Sequence, residues 1–449
     1  MRRRWGFCKG LAPFCCPPHP SSGYLKPMLS PRTLRHAADV LPQVLAFRQP
    51  ADAVLAAYFR EHKQLGRQER QAVADTVFAA IRHRQKIRAA LPQADRHPEH
   101  TVLAAAYFGA LAAPEQLAAW AAEHHAAHLP PRLADTAAQA AHSLNTAAEL
   151  PAWLIDTLRS DGWHDDAILA FGRSTAQAAP LDLRVNTLKA KRDKVLAQLR
   201  NEGLAAEATP YSPWGIRLHD KTDFGRHPLF LDGSIEIQDE GSQLLALVSG
   251  AKRNEIVVDL CAGAGGKTLA MGAMMKNSGR LYAFDVAEKR LANLKPRLQR
   301  AGLSQIHLQR IEHEQDSRLA RLYGKADRVL VDAPCSGLGT LRRNPDLKYR
   351  QSPDSVAELA ALQARILAAA ARLVRPGGTL IYATCSMLAA ENEAQIERFL
   401  AGQPGWQSLP ALLPKGDTQM PQTGVYLRPN PAEHQTDGFF AAVLLRQAT

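Results

Sequence analysis

Apolar residues change their spacing three times along this 449-residue chain, and each change predicts a different kind of structure. From about Ser30 to Leu150, positions such as Val54, Leu55, Tyr58 and Phe59 recur at helical steps in a background rich in Ala, Leu, Arg and His. Residues 28–150 therefore read as an all-helical domain, with Pro130-Pro131 breaking one helix and Pro151 opening the next segment at Trp153. Residues 151–240 carry L-D-L-R-V-N-T, a helical A-K-R-D-K-V-L-A-Q-L-R and short apolar runs punctuated by Pro and Gly, the pattern of a small α+β module. From 241 to 449, the strand-like runs E-I-V-V-D-L, R-L-Y-A-F-D, R-V-L-V-D-A and T-L-I-Y-A-T alternate with helical segments. That alternation predicts an α/β domain with a mostly parallel, Rossmann-like sheet, covered by helices on both faces and binding ligands beyond the carboxyl ends of its strands. Pro296 predicts a kink or early break in one of those helices. Residues 1–27 read as an unstructured extension, and translation starting at Met28 would omit them.

Composition narrows the function classes. Hydrophobic residues at 46% and charged residues at 22% exclude a chain that stays unfolded for want of apolar surface. A net charge of +12 favours a polyanionic partner such as RNA, although a solvated basic surface gives the same balance. Six cysteines without paired spacing fit a reducing cytoplasm better than a disulfide framework. Cys15 and Cys16 with His19 lack a second ligand pair, and no metal is assigned. The longest Ala/Leu run, at 359–374, contains Arg365 and Arg372, so no membrane span is expected; Lys9 and the following C-C-P-P likewise interrupt any signal-peptide core. His124 and His128, spaced one helical turn apart, read as a solvated face, while Tyr58, Phe59 and Phe78 read as core. Lys189, Lys191, Arg192 and Lys194 could touch phosphates or simply face water.

Four motifs fall where strands end. D-L-C-A-G-A-G-G-K-T, Asp259 to Thr268, has the glycines of a tight turn that lets a cofactor approach the backbone. A P-loop would need glycine where Cys261 stands. Asp285 ends the next strand and suits the two hydroxyls of a nucleoside ribose, with helix capping as its alternative role. D-A-P-C-S-G, Asp332 to Gly337, and A-T-C-S, Ala383 to Ser386, bring two cysteines and an acid together beside that site. Such a set suits methylation of cytosine C5, which becomes nucleophilic only after a thiolate has added to C6. An acid must then stabilise charge toward N3, and a base must take the C5 proton. Either cysteine could be the attacking one. A nucleotide hydrolase and a noncatalytic RNA-binding assembly factor are the competing readings.

Through these motifs, together with R-R-N-P-D-L-K and the D-G-F-F segment, the chain resembles the NOL/NOP/Sun family of RNA cytosine-5 methyltransferases, in particular its RsmB-like branch. The resemblance implies a class I methyltransferase domain behind a NusB-like helical domain, S-adenosyl-L-methionine as cofactor, and ribosomal RNA as the partner of a monomeric enzyme; transfer RNA is the alternative substrate. It implies Cys385 as nucleophile, Cys335 as the residue that assists product release, Asp332 in contact with the base, and Lys267 holding substrate or cofactor. The cofactor pocket then maps onto Cys261, Ala262, Gly263, Ala264, Gly265, Gly266 and Lys267, with Asp285 at the ribose. Asp332 borders that pocket, and Glu312 is the choice near adenosine over His313 and Glu314. Arg342 and Arg343 would meet RNA, with Pro345 and Asp346 shaping their loop. Family members often carry C-A-A-P-G-G-K in the first motif, where this chain has Gly263 and Ala264, a more flexible turn.

Overall fold

The structure, a computed structural model, describes residues 29–219, 222–413, 420 and 424–448. The expectations for residues 1–27, with Cys15, Cys16 and His19, lie outside them.

Helices fill Pro31 to Ala148. The first, Pro31–Leu45, starts where the Ser30 hydroxyl accepts from Thr33 N at 3.2 Å and the Thr33 hydroxyl accepts from Ser30 N at 2.9 Å. Its stripe of Leu34, Ala37, Leu41 and Val44 is buried in a core shared with helices Arg67–Arg82 and Pro98–Phe108. Tyr58 is buried in that core, and Phe59 and Phe78 pack against it. Two local expectations are corrected. Pro130 and Pro131 lie in the first turn of helix Leu129–Gln139, where no intrahelical N–H is required, so they begin a helix rather than break one. His124 and His128 flank the break between Pro114–Glu123 and that helix instead of sharing a helical face.

The middle module is a four-stranded antiparallel sheet made of β1 (Leu181–Val185), β2 (Ala206–Ala208), β3 (Gly215–Leu218) and β4 (Ile235–Ile237), in the order β2-β3-β1-β4. Helix Arg192–Asn201 buries Val195, Leu196 and Leu199 against Leu183, Val185 and Ile216. The Arg217 guanidinium grips Asp182 through two buried hydrogen bonds of 2.7 and 2.9 Å.

The large sheet contains β5 (Ile256–Asp259), β6 (Arg280–Asp285), β7 (Ile306–Arg310), β8 (Ala326–Asp332), β9 (Val374–Thr384), β10 (Trp406–Leu409) and β11 (Phe440–Arg446). Their order is β10-β11-β9-β8-β5-β6-β7, parallel from β9 to β7 and antiparallel at β11 and β10. The chain leaves the central β5 first toward β6 and β7 and later returns on its other side through β8 and β9. The crevice beyond the carboxyl ends of β5 and β8 is therefore the switch point at which such sheets bind ligands. Helix Glu288–Ala301 runs through Pro296, so of the expected kink or early break the break does not occur; Pro296 and Ala292 are exposed, on the side where the carbonyl that loses its N–H partner can meet water. Gly302, at φ +74°, ends that helix.

Candidate active site

The first wall of the crevice is the turn after β5. Gly263 and Gly265 adopt φ of +55° and +85°, and a Cβ at Gly265 would drive into Leu294. Gly263 N donates to Asp285 Oδ2 at 2.8 Å, and Ala287 N donates to Oδ1 at 2.7 Å, so the carboxylate that ends β6 braces the turn. Asp285 is 5% exposed, and each of its oxygens retains lone-pair capacity for a hydroxyl donor. The next strand end presents Glu312 as an exposed residue whose backbone N donates to Asp316 at 2.8 Å, whereas Glu314 is taken by Arg365 at 2.9 Å.

Beneath the turn, Asp259 Oδ2 accepts from the Thr268 hydroxyl at 2.6 Å while its buried Oδ1 has no partner. Burial pushes that carboxyl up to about 7. Asp285 and Asp332 place two carboxylates in the crevice, and Asp332 holds the Lys267 ammonium at 2.6 Å. An acidic floor with its lysine already paired opposes the phosphates of a nucleoside triphosphate and suits a cationic nucleoside such as S-adenosylmethionine. The residues present thus fit the cofactor that the resemblance implies.

The second wall is chemical. β8 and β9 are parallel neighbours in which Asp332 pairs with Ala383, so the loops after them leave the sheet side by side. Cys335 and Cys385 meet there with their sulfurs 3.3 Å apart, both as free thiols and both partly exposed. The hydrogen bond with Cys385, then burial, push the Cys335 thiol well above its ordinary value, so Cys335 keeps its proton. Burial disfavours the Lys267 ammonium, but Asp332, Cys385 and Asp259 together more than offset it and hold its proton more tightly than usual. Lys267 also stands 5.8 Å from the centre of the Phe439 ring. The pair is therefore unequal in its surroundings, with Cys385 the sulfur beside the Lys267 cation. Behind Ser386 and Met387 opens a cleft of about 700 Å³ lined by Trp163, Tyr211, Tyr426 and Phe439.

Residues 246–445 match the family model described as 16S rRNA methyltransferase RsmB/F, and residues 150–225 match the ferredoxin-like domain of RsmF/B-like methyltransferases. A probable ribosomal RNA small subunit methyltransferase B from Synechocystis is 39% identical over 305 residues, covering 67% of this chain and 68% of that protein. The chain belongs to the RsmB/F methyltransferase family. A probable counterpart in Bacillus subtilis is 36% identical, over 66% of each chain, and one from Sodalis glossinidius is 40% identical over 60% of each. Among solved structures, PH0851 superimposes with a TM-score of 0.72 at 25% identity, over 93% of this chain and 99% of that one. A methyltransferase homologue from Pyrococcus horikoshii gives 0.54 at 28% identity, over 66% of this chain and all of that one.

Membership in the RsmB/F family does not make every motif residue a ligand. Arg342, expected at RNA, is 6% exposed and inserted between Asp437 (3.0 Å) and Asp239 (3.7 Å), and it also donates to the Gln435 carbonyl. Arg343 is one-third exposed and bridges the same carboxylates at 2.6 and 3.0 Å. Burial and the neighbouring Asp437 push Asp239 up to about 6, and the two guanidiniums hold this acidic pair together. Both arginines are thus committed to tying the loop to the D-G-F-F segment, because two buried carboxylates so close require cations. The loop continues inward. Lys348 Nζ donates to the carbonyls of Glu149 (2.6 Å) and Arg82 (3.2 Å), Asp346 accepts from Ala51 N at 3.3 Å, and Tyr349 packs on Phe47. R-R-N-P-D-L-K is therefore the joint between the helical region and the methyltransferase sheet. Sequence reasoning missed Asp239, Asp437, Phe439 and Glu391. D-G-F-F was the available signal for two of them, while Asp239 resembles an ordinary helix cap.

Proposed function

We propose that this protein methylates C5 of a cytosine in small-subunit ribosomal RNA, with Cys385 as the covalent nucleophile and S-adenosylmethionine as methyl donor. The observation that carries this reading is the pair of free thiols at 3.3 Å beside the Lys267–Asp332 pair. The matching relatives, named for methylation of small-subunit ribosomal RNA, support that substrate over transfer RNA.

Gly263 to Lys267 form the cofactor's turn, Asp285 receives the ribose hydroxyls and Glu312 lies at the adenosine end. Bound there, the cofactor supplies an electrophilic methyl group. Cys385, as the thiolate, adds to cytosine C6, and the Lys267–Asp332 pair places a proton donor where negative charge gathers toward N3. Once Cys385 is bonded to carbon, the hydrogen bond that keeps the proton on Cys335 is gone. Cys335, partly exposed, can then pass its proton to solvent water and, as the thiolate, take the C5 proton after methyl transfer; elimination frees Cys385 as the thiolate. The helical region, NusB-like in this reading, and the module beside it grip the RNA; the whole chain's net charge of +12 supports RNA binding.

The test is transfer of a labelled methyl group to small-subunit RNA and to transfer RNA, followed by mapping of 5-methylcytosine. Product on ribosomal RNA is expected. Product on transfer RNA alone would replace the substrate, and no cytosine methylation on either would overturn the function.

A further inference from the structure

We propose that Glu391 is a positioning residue that holds the two cysteine loops at their working separation and keeps their roles distinct. Glu391 lies in the turn after the second cysteine loop and is fully buried. Ser336, the residue after Cys335, donates its backbone N at 2.8 Å to Glu391 Oε1 and its hydroxyl to Oε2. Ser386, the residue after Cys385, donates its hydroxyl to the same Oε2. Gln363 Nε2 donates to Oε1 at 2.9 Å and, also at 2.9 Å, to the carbonyl of Pro334, just before Cys335. Tyr382, from β9, donates to the backbone carbonyl of Glu391 at 2.6 Å.

One carboxylate thus receives donors from both loops, each a single residue beyond a thiol. The loops leave different strands and are 50 residues apart in sequence, and sheet pairing ends at Asp332 and Ala383. Beyond that point the Glu391 contacts tie the residues next to the sulfurs. Without them, Ser336 N would be a buried donor with no acceptor, and the two hydroxyls, 3.2 Å apart, would keep only each other and the Leu388 N–H that donates to Ser386 at 3.1 Å.

Four donors on two oxygens is the pattern of an ionised carboxylate, which accepts and never donates. Its charge lies close to Cys335 and adds to the effect of Cys385 and of burial in holding the proton on that sulfur. The other titratable groups around the pair are Lys267 and Asp332 on the cofactor side, with Cys261 and Tyr382 beneath. Lys267 faces Cys385, whereas Glu391 acts on Cys335, so the two charges pull the thiols in opposite directions.

This inference rests on the covalent cytosine reading, but the test of its charge role needs neither RNA nor cofactor. In the full chain, the rates at which iodoacetamide alkylates Cys335 and Cys385 are followed against pH by peptide mass spectrometry, for wild type, Glu391→Gln and Glu391→Ala. A Gln amide can still accept from Ser336 N and Gln363 while donating to the two hydroxyls, so Glu391→Gln removes charge with little loss of the clamp. It should fold with a near wild-type Tm and alkylate Cys335 faster at a given pH, by about tenfold for each unit of thiol pKa lost. In RNA assays, Glu391→Ala should lower kcat by about a hundredfold with little change in KM, the expected cost of misplaced reacting groups. A wild-type ratio of the two alkylation rates in Glu391→Gln overturns the charge role. Wild-type kcat in a folded Glu391→Ala overturns the positioning role, and if that variant does not fold, kcat and KM of Glu391→Gln decide. A wild-type enzyme that methylates no RNA yet shows the expected thiol ratios would defeat the functional reading alone.

Discussion

The D-A-P-C-S-G loop and the R-R-N-P-D-L-K loop lie almost end to end in the chain, and both are dense in polar residues, yet they face opposite ways. From the first, Asp332 and Cys335 remain partly exposed in the crevice beside Lys267 and Cys385. From the second, Arg342, Asp346 and Lys348 turn inward, onto Asp437, Ala51 N and the carbonyls of Arg82 and Glu149. A polar motif beside an active site can therefore serve the reaction or the join between domains, and burial tells which. The first loop leaves Asp332 and Cys335 open to the crevice while Ser336 is tied down within the fold; the second has satisfied Arg342, Asp346 and Lys348 within the fold.

The largest expected effect tests the first loop. Cys385→Ala should give no methylated product and no covalent RNA species, while Cys335→Ala should attack and methylate but stall at elimination. The stalled species would survive denaturation and migrate slowly on a gel. If Cys385→Ala forms the adduct and Cys335→Ala does not, the roles are exchanged.

Next, the second loop should fail through stability. Arg342→Met leaves Asp239 and Asp437 buried with half their cation, and breaking such a pair costs about 3–5 kcal/mol, read as a lower denaturation midpoint. A variant as stable as wild type but weaker for RNA would restore Arg342 to the RNA surface and dissolve the contrast.

A smaller effect is expected at the cofactor wall. Asp285→Ala removes the ribose acceptor and the brace on Gly263, and should weaken S-adenosylmethionine binding by about 1–3 kcal/mol in calorimetry. Unchanged affinity in a folded variant would move the ribose elsewhere.

The smallest effect separates free surface charge from surface charge already committed to backbone carbonyls. Lys191 and Lys194 are exposed on the middle module, whereas Lys189 is held by the carbonyls of Asp232 and Arg300. Replacing Lys191 and Lys194 by Gln should flatten the dependence of log affinity for RNA on log salt by about 0.7 per lost phosphate contact. Replacing Lys189 should leave that slope in place, and equal slopes for all three would show that this face does not meet the backbone.

What the sequence made legible follows the range of the interactions. β5, β6, β8 and β9 show in the apolar runs, and their ends show in the motifs, because strand period and turn chemistry are local. The convergence of Cys335 and Cys385 could be inferred since both follow strands of one sheet. The direction of Arg342 could not, because Asp437, 95 residues further on, decides it. Glu391 was hidden for a similar reason, since its partners belong to two other segments. Pro296 misled because a proline rule takes no account of which side of the helix faces water.

The position of β11 in the large sheet bears on the order of assembly. It is the last described strand to be synthesised, yet it lies against β9, pairing from Phe440 opposite Thr384 to Leu445 opposite Thr379. The residues just before it, Asp437 to Phe439, anchor the two arginines and face Lys267. As the protein emerges from the ribosome, the helical region can fold from local contacts, but the sheet that carries both thiols stays open at β9 until residues 437–446 are out. The nascent chain can thus have a folded helical region before the large sheet is complete, and the crevice that holds both thiols is finished only by the strand paired with the one that leads to Cys385.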